Sequence, residues 1–164
     1  MGAEIALVVS WIDGGGTAES MTSAATAPVS NVNDRPTGAV VMTGTAAQGE
    51  TLVADVSGLA DPDGLGAFSF AWLRDGVAIP GATSSAYTLT QADVGAEIAV
   101  AVSWTDGGGT AESATSAATA PVADVNDPPT GAVVITGTAA QGETLVADAS
   151  GLADPDGLGA FSFT

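Results

Sequence analysis

Residues 95–109 read Gly95-Ala96-Glu97-Ile98-Ala99-Val100-Ala101-Val102-Ser103-Trp104-Thr105-Asp106-Gly107-Gly108-Gly109, and this stretch decides the fold. Ile98, Val100 and Val102 recur at every second position, so an extended chain carries them on one face. Asp106 and the glycines behind it form a hairpin turn, where Gly takes positive φ without steric cost. A strand over residues 97–104 that enters a tight turn calls for an antiparallel partner, which we place at 110–122. The same block already stands at Gly2–Gly16, with its own turn beginning at Asp13.

That duplication is long. Residues 2–71 return as 95–164, an offset of 93, and only ten of the 70 aligned positions differ. Among them, Asn31 in the first copy is Asp124 in the second. Near-identical neighbours argue against a separate reaction in each copy, whereas a tandem array supplies length, stiffness or many weak contacts.

Punctuation by Gly, Pro, Asn and Asp falls about every ten residues, with short alternating segments between, the pattern of an all-β antiparallel sandwich. Further strands are expected at 37–43, 51–56, 67–73, 77–79 and 86–90. The core should hold Leu52, Ala54, Phe68, Phe70, Trp72, Tyr87 and Leu89 beside Ile98, Val100 and Val102. Asp75-Gly76 is a second hairpin turn, and a single helical turn fits residues 90–94. Segments 27–37 and 120–130 lose alternation and gather Pro, Asn and Asp. We therefore divide the chain into the end of one repeat (1–33), a complete repeat (34–126) and the start of another (127–164).

Composition excludes several functions. The net charge of −17 arises from 19 acidic residues against Arg35 and Arg74, with no Lys, so nothing here can neutralise nucleic-acid phosphates. Charge of that density favours a cation partner or a salty medium. Much of the apolar fraction is Ala and Val, and aromatics are only 5%, so the core is thin and something besides burial must help to hold it. The absence of Cys leaves the redox compartment open. No apolar run is long enough for a bilayer, and Met1-Gly2 opens no signal peptide, as expected of a segment of a longer chain.

Trp72-Leu73-Arg74-Asp75-Gly76, Ile79-Pro80-Gly81-Ala82-Thr83, Tyr87-Thr88-Leu89 and Asp93-Val94-Gly95 resemble the immunoglobulin-like repeats of large bacterial surface adhesins, the extender domains of the RTX-adhesin type. The likeness runs over the whole chain through its repeats. Asp124-Val125-Asn126-Asp127-Pro128-Pro129 is similar to the linker of cadherin-like domains, and Asp61-Pro62-Asp63-Gly64 to the acidic pair after their second strand. In that family such groups hold calcium between domains. The resemblance thus implies calcium ligands among Asn31, Asn33, Asp34, Glu50, Asp61, Asp63, Asp93, Asp124, Asn126, Asp127, Asp154 and Asp156. Strand parity agrees: the turn at Gln48 and Glu50, the turn at Asp93 and the end of the last strand all fall at the base of a repeat. Asp154 and Asp156 fall at the top of the next, and carboxylates are the hard oxygen donors calcium requires. The pattern departs from the family in lacking its second linker Asn and the acidic motif before its sixth strand. Fewer or weaker ions would follow.

The same residues also make good turns without metal. Asp-Pro-x-Gly places Asp, Pro and Gly at their preferred turn positions, and Asn or Asp before Pro caps and turns a chain. An EF-hand is excluded, because counting from Asp61 puts Leu65 and Trp72 where ligands are needed. The glycine-rich nonapeptide repeat that binds calcium is absent as well. Without His or Cys the usual general base, thiol nucleophile and most transition-metal sites are missing. Asp61 and Asp63 share one turn and so cannot flank a glycosidic bond. We expect no enzyme. Trp11 and Trp104 stand either as half-exposed sugar-stacking rings or as the ends of core strands.

The resulting expectation is a structural extender from a secreted or surface-bound bacterial adhesin, stiffened by calcium. Its partners would be the neighbouring repeats, with head-to-tail self-association through the incomplete terminal repeats, and a glycan or cell-surface ligand elsewhere in the parent protein. Repeated carbohydrate or matrix binding is one alternative, and a self-assembling extracellular filament or surface-layer subunit another.

Overall fold

The computed structural model describes residues 2–164, and its regular structure is almost all β. In chain order the strands are β1 (Val8–Ile12), β2 (Ala18–Thr22), β3 (Val41–Thr43), β4 (Thr51–Asp55), β5 (Ser69–Arg74) and β6 (Val77–Ala78). They continue with β7 (Ala86–Thr88), β8 (Ile98–Thr105), β9 (Ala111–Thr115), β10 (Val134–Thr136) and β11 (Val146–Asp148). A 3-10 turn, Gln91–Asp93, lies where the single helical turn was expected. Sheet orders are β3-β4-β7 and β6-β5-β8-β9, while β1-β2 and β10-β11 are two-stranded ribbons. Among the described residues no helix is long and apolar enough to cross a membrane.

By contacts the chain forms two compact units. One takes in the chain up to Gly38 with Leu59–Ala67 and Trp104–Glu112; the other is Ala39–Gly58, Phe68–Ser103 and Ser113–Thr164. The second unit carries the main core. Antiparallel pairing of β5 with β8 sets Trp72 opposite Val100 and Phe70 opposite Val102. Trp72, Ile98, Val100 and Val102 have no exposure, and Leu52 and Leu89 have 1%. Buried residues thus come from both the three- and the four-stranded sheet, an arrangement compatible with a β-sandwich. Phe68, Phe70 and Tyr87 are half-buried. The indole of Trp72 donates its N–H to the Ser84 carbonyl at 2.9 Å and stacks on Tyr87 with centroids 5.6 Å apart. The β5–β6 hairpin turns on Asp75 (φ 49°) and Gly76 (φ 79°), the mirror-image turn that suits the strand twist.

Two strands fall far short of the spans their patterns predict. Of 37–43 only β3 is regular, with Thr37 making an isolated bridge to Ala60. In place of one strand over 110–122, β9 ends at Thr115 and a different ladder takes over. The N–H groups of Ser116, Thr119 and Val122 donate to the carbonyls of Val100, Ile98 and Ala96 at 3.0, 2.9 and 2.9 Å. In return the N–H of Val100 donates to Ser116 Oγ (3.0 Å), and that of Ile98 to Thr119 Oγ1 (3.1 Å). Residues three apart therefore answer residues two apart, because a side-chain hydroxyl stands where a strand carbonyl would. Ser23, Thr26 and Val29 repeat the arrangement against Leu7, Ile5 and Ala3.

Equal sequence does not mean equal burial. Trp104 is 4% exposed and its counterpart Trp11 41%; Val102 is buried and Val9 is 51% exposed. This contrast gives a test of the hydroxyl ladder. Ser116→Ala removes the acceptor of a buried N–H and should cost about 1–3 kcal/mol in urea unfolding, whereas Ser23→Ala, at the solvent-exposed equivalent, should cost under about 0.5 kcal/mol.

Candidate functional site

The acidic segments at 31–34 and 124–127 each bond to an Asp-Pro-x-Gly turn in the same way. In the first, the N–H of Asp34 donates to Asp63 Oδ2 at 2.7 Å; in the second, the N–H of Asp127 donates to Asp156 Oδ2, also at 2.7 Å. Each turn is closed by its own first Asp, since Asp61 Oδ1 accepts from the Asp63 N–H and Asp154 Oδ1 from the Asp156 N–H, both at 2.9 Å. Asn33 and Asn126 each donate to the carbonyl of the following residue at 3.2 Å. Sequence duplication has become duplicated geometry.

The two segments differ at Asn31. Its amide donates to Asp63 Oδ1 at 2.7 Å. The N–H of Asp34 and the amide of Asn31 together hold the Asp63 carboxyl below its ordinary pKa. Asp124, at the equivalent place, is a carboxylate rather than an amide donor, and among the described residues its side chain makes no hydrogen bond. Among the described residues, no three Asp or Glu side chains gather into a group able to hold a metal ion unaided.

The first segment gathers further groups from the same unit. Asn33 also donates to Glu112 Oε1 at 2.9 Å, and the N–H of Gly107 donates to the Asp63 carbonyl at 2.9 Å. A Cβ on Gly107 would stand 2.5 Å from that carbonyl oxygen, so this glycine is required by close approach rather than by the hairpin alone. A Cβ on Gly108 would meet Asp106 Oδ1 at 3.3 Å and Asn31 Nδ2 at 3.6 Å, so these two side chains converge over it. Ser30, Asn31, Pro62, Asp63, Gly107 and Gly108 line an open cleft here.

Asp106 is the functional candidate that the sequence reading missed. It is 6% exposed; its Oδ1 accepts the Thr110 N–H at 2.7 Å, and its Oδ2 is buried with no donor among the described residues. Asp61 Oδ2 is likewise buried without a donor. Carboxylate oxygens in that condition are costly unless a cation neutralises them, and an all-oxygen donor set fits a hard cation. Asp106 was legible only as the first residue of a glycine turn, and nothing in the local sequence says that this turn lies against Asp63.

Two expected ligands lie elsewhere. The side chain of Glu50 is exposed and makes no hydrogen bond among the described residues. Asp93 is fully buried: Arg74 Nε donates to its Oδ1 at 2.7 Å in an ion pair, while Oδ2 accepts from the Tyr87 hydroxyl (3.0 Å), the Thr90 N–H (2.7 Å) and the Thr90 hydroxyl (2.8 Å). Both carboxylate oxygens are therefore committed inside the second unit. No protein family, curated protein or solved structure matches the chain.

For Asp93, burial alone would raise the pKa, but the bonds from Thr90, Arg74 and Tyr87 outweigh it and hold the group below its ordinary value. Stability from a depressed carboxylate is present above the unfolded pKa and is lost as pH falls through the folded one. Asp93→Asn should therefore cost about 2–4 kcal/mol at pH 7, and the gap from the parent chain should close as the pH drops below about 4, followed by denaturant unfolding at each pH.

Proposed function

We propose that this chain is a segment of a structural extender from a secreted or surface-bound bacterial adhesin, built of tandem immunoglobulin-like β-sandwich repeats and stiffened at its joints by calcium. The observation that carries the reading is the pair of donorless buried oxygens, Asp61 Oδ2 and Asp106 Oδ2, beside a linker whose bonding pattern recurs one repeat later. An array of near-copies gains length from repetition, but short linkers leave inter-domain motion as the default unless something fixes the joint. Oxygen donors at the first joint are Asp61, Asp63 and Asp106 with Asn31 and Asn33, and at the second Asp124, Asp127, Asp154 and Asp156. A bound calcium ion would neutralise these carboxylates and tie linker to turn. The resemblance to adhesin repeats supplies the biological setting, and the net charge of −17 agrees with a cation partner. Sugar stacking through Trp104 is disfavoured, because that ring is only 4% exposed.

Calcium should raise the melting temperature. Binding to the folded form alone, with Kd on the order of 10⁻⁴ to 10⁻³ M, adds about 1.4–2.7 kcal/mol per site at 10 mM, a shift of several degrees. Superimposable melting curves in calcium and in chelator at matched ionic strength would refute the proposal. Asp124→Asn restores at the second joint the amide present at Asn31; it should raise the melting temperature in chelator and shrink the calcium response.

A further inference from the structure

The second joint is tied by a neutral side chain as well as by carboxylates. Gln48 lies in the turn between β3 and β4, and backbone bonds seat that turn firmly. The N–H of Gln48 donates to the Ala123 carbonyl (2.9 Å), that of Ala123 to the Ala46 carbonyl (2.8 Å) and that of Gly49 to the Leu89 carbonyl (2.9 Å). From this base the Gln48 amide reaches across the linker. Its Oε1 accepts the Val125 N–H at 3.2 Å and its Nε2 donates to Asp127 Oδ2 at 2.6 Å. Asp127 is held again from the other side, where its own N–H donates to Asp156 Oδ2. One linker residue is thus gripped by the complete repeat through its side chain and by the following repeat through its main chain.

We infer that Gln48 is a positioning residue that fixes the inter-repeat joint without any metal. A primary amide offers an acceptor to an N–H and a donor to a carboxylate from one planar group. A glutamate here would turn an acceptor toward Asp127 and repel it. Gln141 holds the same place in the next copy of the sequence. The inference rests on the repeat and its hydrogen bonds, not on the calcium reading.

The chain contains no Cys, so spin labels can be placed cleanly at Thr83→Cys and Thr138→Cys, both exposed, and the distance between them measured by pulsed electron paramagnetic resonance in chelator. The parent chain should give a narrow distribution, and Gln48→Ala and Gln48→Glu should each broaden it about twofold. Their melting temperatures should stay near that of the parent, because the backbone bonds that seat the turn remain. Gln48→Asn, one methylene short of spanning both partners, keeps the amide and should also broaden the distribution. A parent distribution already broad in chelator, or widths unchanged in all three variants, would overturn the inference. Adding calcium to the parent chain tests the metal reading separately, since a chain narrow in chelator that ignores calcium keeps the glutamine tie and loses the ion.

Discussion

The pairing of β5 with β8 is the contact on which the rest of the second unit depends. It brings the largest apolar side chain of that unit, Trp72, against Val100, and aligns Phe70 with Val102 on the same face. In a chain so rich in Ala and Gly, few residues carry enough apolar surface to drive collapse, and these strands hold several of them. The same period of two also carries Arg74 onto that face, opposite Ile98. A guanidinium at the end of an apolar face needs a counter-charge. Asp93 supplies it, with Tyr87 and Thr90 satisfying the remaining lone pairs. One of the two cations of the chain is therefore spent on the core, and the composition's call for help beyond burial is answered in part by this network.

At the acidic segments 31–34 and 124–127 the logic is different. Acidic side chains there accept N–H groups from turns and linkers, which orders backbone segments that have no strand partners. Such bonds satisfy one oxygen at a time. Asp63 has a donor on each carboxylate oxygen, whereas Asp61 and Asp106 each keep one buried oxygen without a donor among the described residues. The exchange of Asn31 for Asp124 moves the second joint toward more charge. Gln48 works against that tendency by giving Asp127 a donor.

Strands and turns were legible because they rest on local rules: alternation in Ile98, Val100 and Val102, and turn chemistry in Asp75-Gly76. The hydroxyl ladder was missed, although a signal was present. Ser116, Thr119 and Val122 recur every third position, as do Ser23, Thr26 and Val29, and a period of three does not belong to a regular strand. The ion pair of Arg74 was foreshadowed by its phase with Trp72. The spacing of strands places Asp93 at the same end of the sequence unit as the acidic segment 124–127, but sequence position does not say which way a carboxylate turns. Asp106 had no signal beyond its turn.

The sequence by itself determined the β class, the positions of most strands and turns, the duplication and the acidic balance, since each follows from neighbour-to-neighbour spacing or from simple counting. Only the tertiary structure decided burial and partnership. Trp11 and Trp104 sit in nearly identical strands, yet one is exposed and the other is core, because burial depends on what lies opposite and not on the residues alongside. The same holds for Asp61 and Asp106, whose buried oxygens exist only where distant turns meet, and for Gln48, whose reach to Val125 and Asp127 crosses more than seventy residues of chain.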